Sequence, residues 1–138
     1  MAFTDIAITA PDSAEEGEQV SVSARVTNIT AISYPFRVKL YAVKDIYAVP
    51  APGDLLDTFE ETIGSGAYKT ISGSFTMPAW DTTILVMVYR FFVYWDFDNL
   101  ATKVVSLKTK AALPTAVKVL GIGLLAVLGI AVVARKKK

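Results

Sequence analysis

Chemistry in this chain would have to be done with carboxylates, hydroxyls and aromatic rings, because its 138 residues include no cysteine and no histidine. That excludes disulfide frameworks, Cys or His zinc sites, haem attachment through Cys, and nucleophilic catalysis of the Ser–His or Cys–His kind, since each needs a thiol or an imidazole. Asp96, Asp98 and Asn99, in the run DFDN, offer the hard oxygen ligands a calcium ion takes, but Leu100 and Ala101 follow and break any EF-hand spacing. A polar hairpin turn is the expectation there. Glu15 to Glu18, EEGE, reads as a solvated loop, and Asp81, after Trp80, as a turn cap. Glycosidic chemistry needs two carboxylates facing across a cleft, and nothing in the spacing places two acids so. No catalytic residue, metal ligand or cofactor is expected.

The residues with most to offer a partner are aromatic. Tyr89 to Phe97 reads YRFFVYWDF. Strand alternation sends Tyr89, Phe91, Val93, Trp95 and Phe97 to one face, and Arg90, Phe92, Tyr94 and Asp96 to the other. A strand bulky on both faces is either covered on both sides or lies at an interface. Tyr89, Phe91, Phe92, Tyr94, Trp95 and Phe97 are therefore the candidate protein interface; sandwich core and a ligand or glycan platform are the competing uses. Tyr34, Tyr41, Tyr47 and Trp80 are candidates to extend it. Asn28-Ile29-Thr30 forms an N-glycosylation sequon and equally a strand-end turn.

The elements that must position these residues are strands. QVSVSARVT places Val20, Val22, Ala24 and Val26 on one face against Ser21, Ser23 and Arg25 on the other. PFRVKLYAV does the same with Phe36, Val38, Leu40 and Ala42 against Arg37, Lys39 and Tyr41. Turn signals fall at Pro11-Asp12, Glu16-Gly17, Pro50 to Gly53, Gly64 to Gly66, Met77-Pro78 and Asp96 to Asn99. Strands are expected near 3–9, 19–28, 35–43, 55–63, 68–76, 82–95 and 100–108. About seven short strands with regular turns predict an all-β sandwich over residues 1–108.

The chain ends differently. Of the sixteen residues from Val119 to Ala134, ten are large aliphatics: Val119, Leu120, Ile122, Leu124, Leu125, Val127, Leu128, Ile130, Val132 and Val133. The other six are Gly or Ala, so the stretch has no polar face and reads as a membrane anchor. Alone it makes roughly 24 Å of helix, short of a bilayer's hydrocarbon core. Counted from Leu113 it spans that core, with Pro114 in the first turn and Lys118 snorkelling to the headgroups. The expected organisation is a linker at 109–113, a transmembrane helix at 114–134 and a basic tail at 135–138. Lys118 and Arg135, Lys136, Lys137 and Lys138 flank the span. Gly121, Gly123 and Gly129 are small enough to permit close helix packing.

Charge divides the same way. Up to Leu113, nine basic residues stand against thirteen acidic ones, a net −4, while Lys118 and residues 135–138 add +5. An acidic body argues against nucleic-acid binding by the domain, which leaves lipid heads or genome phosphates as possible neighbours of the tail. The positive-inside rule keeps the lysine tail inside and residues 1–110 outside. MAFTDIAITAPDSAEEG has no apolar core to serve as an export signal, and a viral membrane protein assembled within its host would reconcile the two.

ITAPDSAEEGEQVSVSARVTNIT, PFRVKLYAV and GSFTMPAWDTTILVMVYRF together resemble immunoglobulin-like domains of the CARDB type, found in archaeal and bacterial surface proteins and some virion proteins. The shared features are a Pro–Gly-bounded loop before the second long strand, an Asn ending that strand, and an sFtMPa entry to a late strand. The resemblance covers residues 3–108 and implies a binding or spacer module without an active site. A single copy next to an anchor departs from the multi-repeat stalks common in that family. The expectation is a non-enzymatic, membrane-anchored structural protein present in multiple copies, with shell or surface-layer subunits and further copies of itself as candidate partners. A virion component tying a lipid membrane to a protein shell is the leading setting. A cell-surface adhesion module and an accessory subunit of a membrane complex are the alternatives.

Overall fold

Alternating apolar and polar residues become strands where one face can be buried, and eight strands form among the described residues. In the computed structural model the described residues are 2–109. The anchor residues from Val119 to Val133, Lys118 and the tail Arg135 to Lys138 lie outside them. The strands are β1 (Thr4–Thr9), β2 (Ser13–Ala14), β3 (Gln19–Asn28), β4 (Tyr34–Val43), β5 (Leu55–Ile63), β6 (Tyr68–Thr76), β7 (Thr82–Phe92) and β8 (Tyr94–Leu107). One 3-10 turn, Pro52–Asp54, precedes β5.

Two sheets face each other. One has three strands in the order β1-β3-β6, the other five in the order β2-β8-β7-β4-β5. All pairings are antiparallel except that of β2 with β8. The two-residue β2, not foreseen from sequence, adds an edge to the five-stranded sheet before the chain returns to the first sheet as β3. Val20, Val22, Ala24 and Val26 of β3 pack against Phe36, Val38 and Leu40 of β4 and Ile84, Val86 and Val88 of β7, all buried. Burying each such side chain fully is worth about 1.5–3 kcal/mol. At Gly73 in β6 a Cβ would meet the Leu56 Cβ at 2.8 Å, so the sheets approach too closely there for a side chain.

The largest departure from expectation is in the last hairpin. The turn falls at Val93, not at Asp96–Asn99, which belongs to β8. Val93 takes φ 71°, a left-handed conformation that a β-branched residue rarely adopts. The register between β7 and β8 slips between Val88 and Tyr89, leaving Asp98 as the extra residue of a β-bulge. The bulge turns its carboxylate toward β1, where it accepts hydrogen bonds from Phe3 N at 2.7 Å and Thr4 Oγ1 at 2.6 Å. Asn99 Nδ2 donates to Thr4 O at 2.9 Å. The polarity that reads as a turn in sequence therefore holds the two sheets together.

The strand ends define two poles. One holds the start of β1, the β3–β4 and β5–β6 turns and the Val93 hairpin. The other holds residues 10–18, 44–54 and 77–81 and the end of β8. There Leu107 N donates to Asp81 Oδ1 at 2.8 Å, and Lys108 N to Ala14 O at 2.9 Å. Asp81 is thus a clamp on β8 and not only a turn cap.

Candidate interaction surface

The aromatic run folds into the β7–β8 hairpin, and its register decides which rings meet. Tyr89 pairs with Phe97, Phe91 with Trp95, and Phe92 with Tyr94. Pairing of β4 with β7 stops at Phe36 and Arg90, so Phe91 and Phe92 keep ladder partners in β8 alone. On the outer face the Tyr89 and Phe97 rings meet edge-on at 5.8 Å, and Phe91 and Trp95 at 5.2 Å. β4 supplies cations beneath them. The Arg37 guanidinium lies 4.4 Å from the Trp95 ring and binds Glu60 at 2.7 Å, and Lys39 lies 5.9 Å from Tyr89. Tyr41 shares this face, and burial, with Tyr89 nearby, raises its hydroxyl pKa above the ordinary value, so it stays neutral.

On the inner face Arg90 does the corresponding work. Its guanidinium stacks 4.2 Å from Phe3, 5.6 Å from Tyr34 and 5.9 Å from Phe92, and pairs with Asp96 at 3.7 Å. Stacked and paired in this way, a guanidinium stiffens the base of the hairpin. What is left uncovered is the tip: Phe92 is 63% exposed, Val93 80% and Tyr94 65%. Phe91 and Phe97 are exposed beside it. This is an exposed apolar patch, the kind of anchor that protein interfaces are built around.

All six candidate residues therefore come together, Tyr89, Phe91, Trp95 and Phe97 on one face and Phe92 and Tyr94 at the tip on the other. Tyr34 and Tyr41 support it from either side. Tyr47 is exposed on a loop that borders an open cleft of about 290 Å³ with Leu85, Met87 and Leu100 on the same sheet face. Trp80 sits at the opposite pole. Sequence reasoning missed the role of Arg37 and Arg90; the signal was a basic residue beside aromatics in YRFF and in the partner strand.

The other candidates resolve differently. Asn28 is 0% exposed. Its Nδ2 donates to Ile32 O at 2.8 Å and Ile63 O at 2.9 Å, and its Oδ1 accepts from Thr30 N at 2.9 Å and Thr30 Oγ1 at 2.6 Å. A glycan on Nδ2 would break this knot, so the strand-end turn is the role it fills. In EEGE, Glu18 Oε1 accepts from Glu15 N at 3.0 Å and the loop is solvent-facing. Lys103 binds Asp12 at 2.8 Å, and this hydrogen bond and charge lower the Asp12 pKa. Among the described residues no group of three or more His, Cys, Asp or Glu could hold a metal ion.

No protein-family profile matches the chain, and no curated protein sequence matches it. Solved structures do. A crystal structure of a CARDB domain from Pyrococcus furiosus, in complex with di-metal ions, superposes with TM-score 0.57 at 19% identity, over 77% of this chain and 90% of that one. A solution structure of the same domain gives 0.51 at 21%, over 78% and 97%. An alkylpurine DNA glycosylase from Pseudomonas fluorescens, bound to DNA containing an abasic site analog, gives 0.50 at 14%, over 79% of this chain but 31% of that one. At these identities the likeness is one of fold, and the fold is the CARDB-type, immunoglobulin-like sandwich.

Proposed function

We propose that the chain is a non-enzymatic structural protein in which residues 114–134 anchor the sandwich to a membrane and the Val93 hairpin engages a protein layer on the far side. The partner is a shell or surface-layer subunit, as in a membrane-containing virion, and many copies act together. One observation carries the proposal: a single strand, β8, joins the two ends. It starts at Tyr94 in the exposed aromatic tip and ends at Leu107, where the chain leaves for its apolar segment. At about 3.3 Å per residue the two points lie roughly 40 Å apart. From Lys108 to Leu113 an extended chain reaches no more than about 18 Å. An anchored domain would be held within that reach of the lipid, and the length of β8 suits a spacer between two layers.

The test is the double variant Phe92→Ser/Tyr94→Ser in the full chain. Both side chains are mostly exposed, so the melting temperature should change little. Incorporation into the native assembly, read as copy number and cross-links to neighbours, should collapse. Unchanged incorporation would remove the hairpin from the interface.

A further inference from the structure

We propose that the opposite pole is itself a lipid-contacting surface, with Trp80 and Lys44 seated among the headgroups. This rests on the anchored reading above and adds to it a specific contact by the folded domain. The exit of the chain is fixed at this pole: the Asp81 carboxylate holds the N–H of Leu107, and Ala14 O holds that of Lys108. Trp80 adjoins Asp81, and the next residue along, Thr82, pairs with Val105 of β8. Trp80 therefore shares this pole with the exit, its indole on the β4 side of β7 beside Lys44. It is 45% exposed. Lys44 Nζ lies 4.5 Å from its centroid, and both border a cleft with Val43, Phe75 and Pro78.

An amphipathic ring with a lysine over it matches the chemistry of the membrane–water interface, where Trp and Lys stems sit in apolar surroundings and their polar ends meet water and phosphate. The length of the connecting chain limits how far from lipid the pole can lie, as worked out above. Electrostatics set the lipid class. Lys44, Lys103 and Lys108 share the pole with Asp12, Glu15, Glu16, Glu18, Asp45, Asp54 and Asp81, and one lysine, Lys103, is already paired to Asp12. Acids outnumber bases, so anionic lipid would not drive the contact. The interaction is interfacial burial of the indole, and zwitterionic lipid suffices.

The two tryptophans of the chain, Trp80 and Trp95, sit at opposite poles and make the test direct. The full-length variants Trp95→Phe and Trp80→Phe each leave one reporter. They are reconstituted in phosphatidylcholine vesicles carrying headgroup spin labels, with flotation and circular dichroism read on the same samples. Trp80 emission should be blue-shifted and quenched severalfold more than that of Trp95, while acrylamide, acting from water, should give the reverse order. Equal quenching of the two in chains that float with the vesicles would overturn the contact and leave the anchor standing. Folded chains that do not float would overturn both.

Discussion

Replacing Asn28 tests how the hairpin pole is held together. Its amide makes four hydrogen bonds, two donated and two accepted, in a site with no exposure. At about 1 kcal/mol for each bond, and more where a buried partner is left unsatisfied, Asn28→Ala should cost about 3–5 kcal/mol. Total stability for a domain of this size is on the order of 5–15 kcal/mol, so the loss is a large fraction of it. At about 4–8 °C per kcal/mol, the melting temperature should fall by roughly 12–40 °C. Asn28→Asp is the sharper variant. It keeps the acceptor toward Thr30 but turns the donor toward Ile32 O and Ile63 O into a carboxylate oxygen facing two carbonyls. Burial raises that carboxyl's pKa in the fold above its unfolded value, so stability is present in acid and lost as pH rises through the folded pKa. Thermal melts from pH 7 down to pH 4 should therefore show the deficit of Asn28→Asp shrinking while that of Asn28→Ala does not. A drop of only a few degrees for either variant at pH 7 would refute the knot.

Other positions give independent checks. Val93→Gly removes a left-handed β-branched residue and should stabilise the domain by about 1 kcal/mol, measured by denaturant midpoint, with no loss of hairpin register. Gly73→Ala drives a Cβ into Leu56 and should destabilise by about 1–3 kcal/mol in the same assay. Asp12 should titrate below 3.8 by NMR, because Lys103 favours its charged form. That contribution is present above the unfolded pKa and fades as pH falls through the folded one, and Lys103→Met should return the midpoint to the ordinary value.

Strands β3 and β4 were legible because their inward residues alternate, throughout β3 and from Phe36 to Leu40 in β4, and each faces a covering sheet. The all-β class and the aromatic cluster followed from the same period. The hairpin turn was not legible. A left-handed position usually advertises itself with Gly or Asn, and here valine fills it, held by the pairing of eleven β7 residues with β8. DFDN misled for the converse reason: Asp98 and Asn99 satisfy β1, some 95 positions away in the chain, and no local spacing encodes so distant a partner. Arg37 and Arg90 were hidden likewise, since a stack on Trp95 or Phe3 depends on register across strands. The sequon at Asn28 matched by composition while its burial came from the β5–β6 turn closing over it.

The central claim is that the sandwich is tethered to lipid by the segment after Lys108. It is tested most directly by carbonate extraction and protease protection on native membranes or particles, following N-terminal and C-terminal tags separately. An anchored chain stays with the membrane fraction at high pH, with its lysine tail protected and its domain cleavable on one side or only once a surrounding shell is opened. Quantitative release of the intact chain into the carbonate supernatant would contradict the anchor and, with it, the placement of the hairpin at the far side of a membrane-bound layer.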